Sequence, residues 1–242
     1  EDREIERVIR KQEECGLQSV TDGEFRRSWW HLDFLWGLDG IEKHVMDTGV
    51  AFAAVTTRNE GTKVTGKIGS QHHPMIEHFK FVAAHSTKTP KITIPAPSAL
   101  WGRPMKTPVD PKVYPRLDAM FDDLGQAYRK AVRDFAEAGC RYLQLDEVFI
   151  AMLCDEKYRA QMTARGDDPD RLGELYGDLI NTAMSDIPAD MTITMHMCRG
   201  NYKSTYMGGG GYEKVQEILF GKIKVHGFFM EYDTERAGGF EP

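Results

Sequence analysis

One local pattern, used twice, constrains this chain more than anything else: a helix closed by glycine, a short apolar strand, then acidic residues. It appears first as an amphipathic helix from about Glu4 to Cys15, Gly16, a strand from about Leu17 to Thr21, and Asp22-Gly23-Glu24. Ile5, Val8, Ile9 and Gln12 fall on one face at helical spacing, and Gly16 suits a left-handed helix end. It appears again as a helix from about Pro115 to Ala138, Gly139, a strand from Arg141 to Leu145, and Asp146-Glu147. Leu117, Met120, Phe121, Leu124, Tyr128, Val132 and Phe135 mark the apolar face of that helix. Further strands are expected at Lys91 to Pro95, at Met191 to Met195 running into His196-Met197-Cys198, and at Val225 to Met230 running into Glu231. Asp168-Pro169 supplies a cap and a first-turn proline for a helix showing Leu172, Leu175, Tyr176, Leu179 and Ile180. Another helix is expected from Tyr212 to Phe220, closed by Gly221.

Five strands separated by helices argue an α/β fold with a parallel sheet. Two windings satisfy that pattern, a closed (β/α)8 TIM-type barrel and an open doubly wound sheet. No Gly-x-Gly-x-x-Gly turn follows any strand, which favours the barrel. A length of 242 residues suits one barrel domain over 1–242. Residues from about Trp36 to Gly69 break the alternation; Lys63, Thr65 and Lys67 interleave with Val64, Gly66 and Ile68, the mark of an inserted loop or hairpin. The chain opens inside a charged helix and stops at Phe240-Glu241-Pro242, so the expectation is a piece of a longer protein, with the first and last barrel elements missing.

The net charge of −6 leaves no electrostatic case for a nucleic-acid partner. No apolar run approaches membrane-spanning length, and no secretory apolar segment opens the chain. Cys15, Cys140, Cys154 and Cys198 are widely and irregularly spaced. They do not read as a disulfide framework, and a reducing, cytoplasmic setting is expected.

In a barrel the chemistry collects at the carboxyl ends of the strands. Those ends carry Asp22 and Glu24, Ser98 to Trp101, Asp146 and Glu147, His196 and Cys198, and Glu231. His196 and Cys198 are two apart and project to one side of an extended backbone. Imidazole and thiolate are both zinc ligands, and a carboxylate from the following strand could complete three protein ligands. The alternative is a hydrogen-bonded histidine beside a small buried cysteine. Asp146 could hold a substrate ammonium group, or one of Asp146 and Glu147 could cap the next helix or meet an arginine; Glu24 has the same two readings. Arg26 and Arg27 either hold acidic groups or are solvated. Trp101 could stack on a flat ligand or simply pack, and Trp29, Trp30, His31 and Trp36 could wall a pocket. The run Gly208 to Gly211 reads as a lid or a tight turn, and His72, His73, His78 and His85 read as surface residues.

Three segments in order carry a resemblance: Val20-Thr21-Asp22-Gly23-Glu24-Phe25-Arg26-Arg27, Leu143-Gln144-Leu145-Asp146-Glu147, and Met195-His196-Met197-Cys198-Arg199-Gly200-Asn201. They resemble the catalytic domain of cobalamin-independent methionine synthase, and more particularly its short single-domain relatives. The resemblance implies a (β/α)8 barrel with a Zn2+ ion at the strand ends, held by His196, Cys198 and Glu231. It implies that Asp146 and Glu24 form the amino-acid site, with Asp146 on the amino group of homocysteine, and that Trp101 lies near a folate-stacking position. The implied activity is methyl transfer to a thiol in methionine biosynthesis, with homocysteine as acceptor and possible methyltetrahydrofolate as donor. Departures from the family pattern are a fourth, cysteine ligand not matched by Cys15, Cys140 or Cys154, the first strand, a C-terminal histidine and the N-terminal folate-holding half. Two rival readings stand beside methyl transfer: zinc-dependent alkylation of a thiol by another electrophile, such as an epoxide, and a non-catalytic metabolite-binding relative. Oligomeric state is not legible from the sequence.

Overall fold

A computed structural model describes residues 1–52 and 56–241; residues 53–55, inside the expected insertion, and Pro242 lie outside the described residues. The helices are α1 (Asp2–Glu14), α2 (Leu32–Trp36), α3 (Met75–His85), α4 (Leu117–Glu137), α5 (Phe149–Met152), α6 (Glu156–Ala164) and α7 (Pro169–Ala183). The strands are β1 (Ser19–Val20), β2 (Asp39–Val45), β3 (Glu60–Gly69), β4 (Thr89–Pro95), β5 (Tyr142–Glu147), β6 (Thr192–Met197) and β7 (Gly227–Met230).

Strands β1, β4, β5, β6 and β7 form one parallel sheet in that spatial order. The order never reverses along the chain. A doubly wound sheet reverses at its switch point, so this is the winding of a barrel wall, here a curled half-barrel of five strands. Strands β2 and β3 form a separate antiparallel hairpin between β1 and β4, the insertion expected over 36–69. Its register slips between Asp39 and Ile41. Gly40 sits there at φ +77°, where a Cβ would lie 2.4 Å from the Lys67 carbonyl oxygen, so only glycine fits the bulge.

Strand alternation sorts the sheet into two faces. Leu143 and Leu145 of β5, Ile193 and Met195 of β6, and Ile92 and Ile94 of β4 are buried in the core. Helix α4 adds Met120, Phe121, Leu124, Tyr128, Val132 and Phe135 to it, and α7 adds Leu172, Tyr176, Leu179 and Ile180. Leu117, expected on that buried face, is instead exposed at the first turn of α4. Asp168 caps α7 as expected, accepting from the Asp170 and Arg171 amides. The helix expected over 212–220 is two short irregular turns, a 3-10 turn at Tyr212–Lys214 and a π turn at Glu217–Lys222. His73 is a correction: it is buried, stacks on Phe34 at 4.2 Å between ring centroids and meets the Phe34 carbonyl at 2.9 Å. The 208–211 run is a packed turn, with the Gly209 amide donating to Asp155 Oδ2 at 3.0 Å.

Glu147 points to the helix side of the sheet. It is 1% exposed, accepts from the Ile150 amide at 2.8 Å at the start of α5, and accepts from the Ser98 hydroxyl. Of the acidic pair, Glu147 is therefore the one that caps the next helix. Burial pushes its carboxyl up to about 7 from 4.5, against the pull of these donors. A carboxyl raised in the fold binds its proton more tightly there than in the unfolded chain. Its contribution is thus fully present below about 4.5 and is lost as pH rises to about 7. Glu147→Gln keeps the acceptor and removes the titration. Urea unfolding at pH 5 and pH 8 should show the variant gaining roughly 1–3 kcal/mol on the parent between the two.

Candidate functional site

Parallel register aligns the strand ends. Pro95 pairs with Asp146, Asp146 with His196, and His196 with Phe229. Paired residues of a sheet share a face, so Asp146, His196 and Phe229 stand on the face opposite the helix-covered core. Cys198 and Glu231 lie two residues past His196 and Phe229, just beyond the ends of β6 and β7.

Glu24 enters this group from the loop after β1. Gly23 and Glu24 both have positive φ, +64° and +59°, and the Asp22 carboxylate accepts the Glu24 amide at 2.9 Å to hold that turn. A non-glycine residue in this region costs of order 1 kcal/mol or more; here it places the Glu24 carboxylate 3.0 Å from Arg27. Arg27 is almost fully buried and also donates to the carbonyls of Thr93 and, at 3.2 Å, Trp30. Arg26 instead pairs with Asp2 at 2.6 Å on α1. Burial raises the Glu24 carboxyl, Arg27 opposes the rise, and the negative charges of Asp146 and Asp22 add to it. Burial likewise raises Asp146, opposed by a 2.7 Å hydrogen bond from Gln144 and by His196, Arg27 and Lys91. The Asp146 charge thus reaches Glu24, and two partly buried carboxyls within reach of one another favour a cation.

The expected metal ligands do not close on one point. Among the described residues no three His, Cys, Asp or Glu side chains form a group that could hold a metal ion. His196 and Glu231 share an open hollow beside Phe229, whereas Cys198 lines a separate cavity. The Glu231 carboxylate is already engaged: Asn201 donates to it at 2.6 Å, the Arg199 amide at 3.1 Å, and Arg236 forms an ion pair. Burial alone would raise Glu231, but these donors bring it below its ordinary value. Burial raises the Cys198 thiol, the Gly200 and Asn201 amides oppose this, and the charges of Asp146 and Glu231 push it further up. In kind, the nitrogen, sulfur and oxygen donors fit zinc; in position, Glu231 must leave Arg236 before the three can meet.

Trp101 is 3% exposed, edge-on to Phe121 at 5.6 Å, with the Arg165 guanidinium over its ring. It belongs to the core and is not open to a flat ligand. Trp29, Trp30 and His31 do wall a cavity, the one Cys198 lines, while Trp36 packs elsewhere, donating to the Gly61 carbonyl at 3.0 Å. Arg103, at 7% exposure, also lines that cavity. No spacing rule marks it, since its partners His31 and Glu60 are 72 and 43 residues away.

No protein-family model matches the chain. Two uncharacterized Bacillus subtilis proteins match it throughout: YxjH is 43% identical over 243 residues and YxjG 45% over 244. The chain spans 64% of the length of each. A solved Listeria monocytogenes structure, provisionally named a vitamin-B12-independent methionine synthase, superposes with a TM-score of 0.74 at 40% identity, over 97% of this chain and 63% of its own. A B12-independent methionine synthase from Shewanella, solved with selenomethionine, has the same fold at 16% identity and a TM-score of 0.60, over 84% of this chain and 53% of its own. The structural neighbours are thus methionine-synthase-like proteins. Among the described residues no helix is long and apolar enough to cross a membrane.

Arg27 is the one cation in direct contact with Glu24 among the described residues. In Arg27→Met, the Glu24 carboxyl should titrate higher still, read by carbon-detected NMR. Unfolding should cost roughly 1–3 kcal/mol less, because the carbonyls of Thr93 and Trp30 lose their donor.

Proposed function

We propose that this chain is a methionine-synthase-like enzyme that transfers a methyl group to the sulfur of a small amino-acid thiol, homocysteine being the simplest. The observation that carries this reading is Asp146 in register with His196 on adjacent parallel strands, with Cys198 and Glu231 just past the carboxyl ends of β6 and β7. The methionine-synthase-like neighbours support it.

Asp146 and Glu24 are assigned to the substrate ammonium group. Both carboxyls are raised by burial, and a cation between them would compensate the charge that burial penalises. His196, Cys198 and Glu231 are assigned to a zinc ion, with Glu231 exchanging Arg236 for the metal. Zinc, when bound, stabilises the thiolate form of a substrate thiol near neutral pH. In the reaction the acceptor sulfur bonds to the methyl carbon as the carbon–donor bond breaks. The electron pair leaves on the donor, which takes up the proton given up by the thiol. Arg199, fully buried and donating to the Ala151 and Ala237 carbonyls at 3.1 Å each, fixes the backbone after Cys198, and its own carbonyl accepts from the Gly208 amide at 3.4 Å.

Metal analysis of the purified protein should find about one zinc per chain, lost in Cys198→Ala and His196→Ala, with thiol methylation lost in parallel. Zinc-free protein, together with undiminished thiol methylation in Cys198→Ala, would overturn the reading. Asp146→Asn removes one charge-assisted contact and should raise the KM for homocysteine by roughly 10- to 100-fold, with zinc content unchanged.

A further inference from the structure

The cavity that Cys198 lines holds about 270 Å³ and is walled largely by Trp29, Trp30 and Phe149. Arg103 is the only charged side chain on its lining among the described residues. No carboxylate pairs with Arg103 there: its guanidinium donates to the Glu60 carbonyl at 3.1 Å and to His31 Nε2, both neutral acceptors. A guanidinium has five N–H donors, and an unpaired buried charge is costly. Burial brings Arg103 down to about 10, with no negative group opposing it.

His31 stands beside Arg103 on the lining. It is 6% exposed, and burial together with the Arg103 charge holds it well below its ordinary value, so its ring is neutral. Nε2 accepts from Arg103, and a neutral imidazole carries one proton, so Nδ1 bears the hydrogen. Nδ1 is buried with no partner. The cavity therefore brings together an uncompensated cation, a histidine with an unused N–H and aromatic walls, with no acid on its lining. The alternative, that Arg103 only braces the Glu60 carbonyl, leaves the missing counter-charge and the idle Nδ1–H unexplained.

We infer that Arg103 and His31 form a binding subsite for the carboxylate of a small ligand with a flat apolar body, seated in the cavity beside Cys198. Assigning that ligand as the alkyl donor rests on the thiol-alkylation reading above. The subsite itself does not.

Phenylacetate and its neutral counterpart phenylacetamide test it by calorimetry on the purified protein. Phenylacetate should bind about tenfold or more tightly than the amide. Arg103→Met should erase that preference, and Arg103→Lys should restore part of it, with circular dichroism showing both variants folded. Equal binding of acid and amide, or no binding of phenylacetate at millimolar concentration, overturns the subsite. If Arg103→Met does not fold, His31→Phe decides: an undiminished preference counts against the site, a reduced one supports it. Cys198→Ala should keep the preference, so loss of methylation chemistry and loss of the subsite read out separately. Phenylacetate binding should also be unaffected by saturating homocysteine; competition between them would assign the carboxylate to the acceptor and overturn the donor assignment.

Discussion

The hydrogen-bonded register of β4, β5, β6 and β7 is the constraint on which the rest of the molecule depends. It pairs Asp146 with His196 and His196 with Phe229, and strand alternation then decides everything else about those positions. Leu143, Leu145, Ile193 and Met195 are sent to the helices and into a dry core, while the intervening residues are sent to the open face. A slip of one residue in β5 would exchange Asp146 for Glu147 on that face and drive a different carboxylate into the core. The core is thus what fixes the chemistry: the burial of the apolar set leaves the row of polar groups only one place to stand.

The two acids of the Asp146-Glu147 pair show how far apart neighbours can be driven. Glu147 is held inside by Ser98 and the Ile150 amide and has become a structural acid that locks the turn into α5. Asp146, one residue earlier, keeps company with Gln144, His196, Arg27 and Lys91 at the rim. Both are raised by burial, but Glu147 is closed off in the core while Asp146 is only partly buried. Glu24 joins it through a left-handed turn whose strain is held by Asp22 and Arg27.

Charge is distributed unevenly across the strand ends. On the Glu24–Asp146 side the acids Glu24, Asp146 and Asp22 act on one another against Arg27 and Lys91, the acidic balance on which the ammonium assignment rests. In the Cys198 cavity the balance is reversed, with Arg103 and a neutral His31 facing aromatic rings and no acid on the lining. Cys198 follows β6 in the chain and lines the cavity with its side chain. That position is the geometric reason for placing a thiol acceptor and an anionic ligand on either side of it.

The sequence by itself determined the parallel α/β character, the break in the alternation over 36–69, the cap at Asp168 and the positions of the five strands of the parallel sheet, because all of these follow from periodicity and turn residues acting over a few positions. It also placed Glu24, Asp146, His196, Cys198 and Glu231 at or just past the carboxyl ends of their strands. Only the tertiary structure decided that the winding never reverses, that Glu147 and not Asp146 caps the helix, that Trp101 and His73 are buried, and that Glu231 is held by Arg236. Arg103 meeting His31 lay wholly outside the reach of the sequence. Those outcomes depend on which distant side chain fills a space or supplies a charge, and partners 72 residues apart leave no periodic trace. Local order is written in spacing; compensation of buried charge is settled only when the chain has closed on itself.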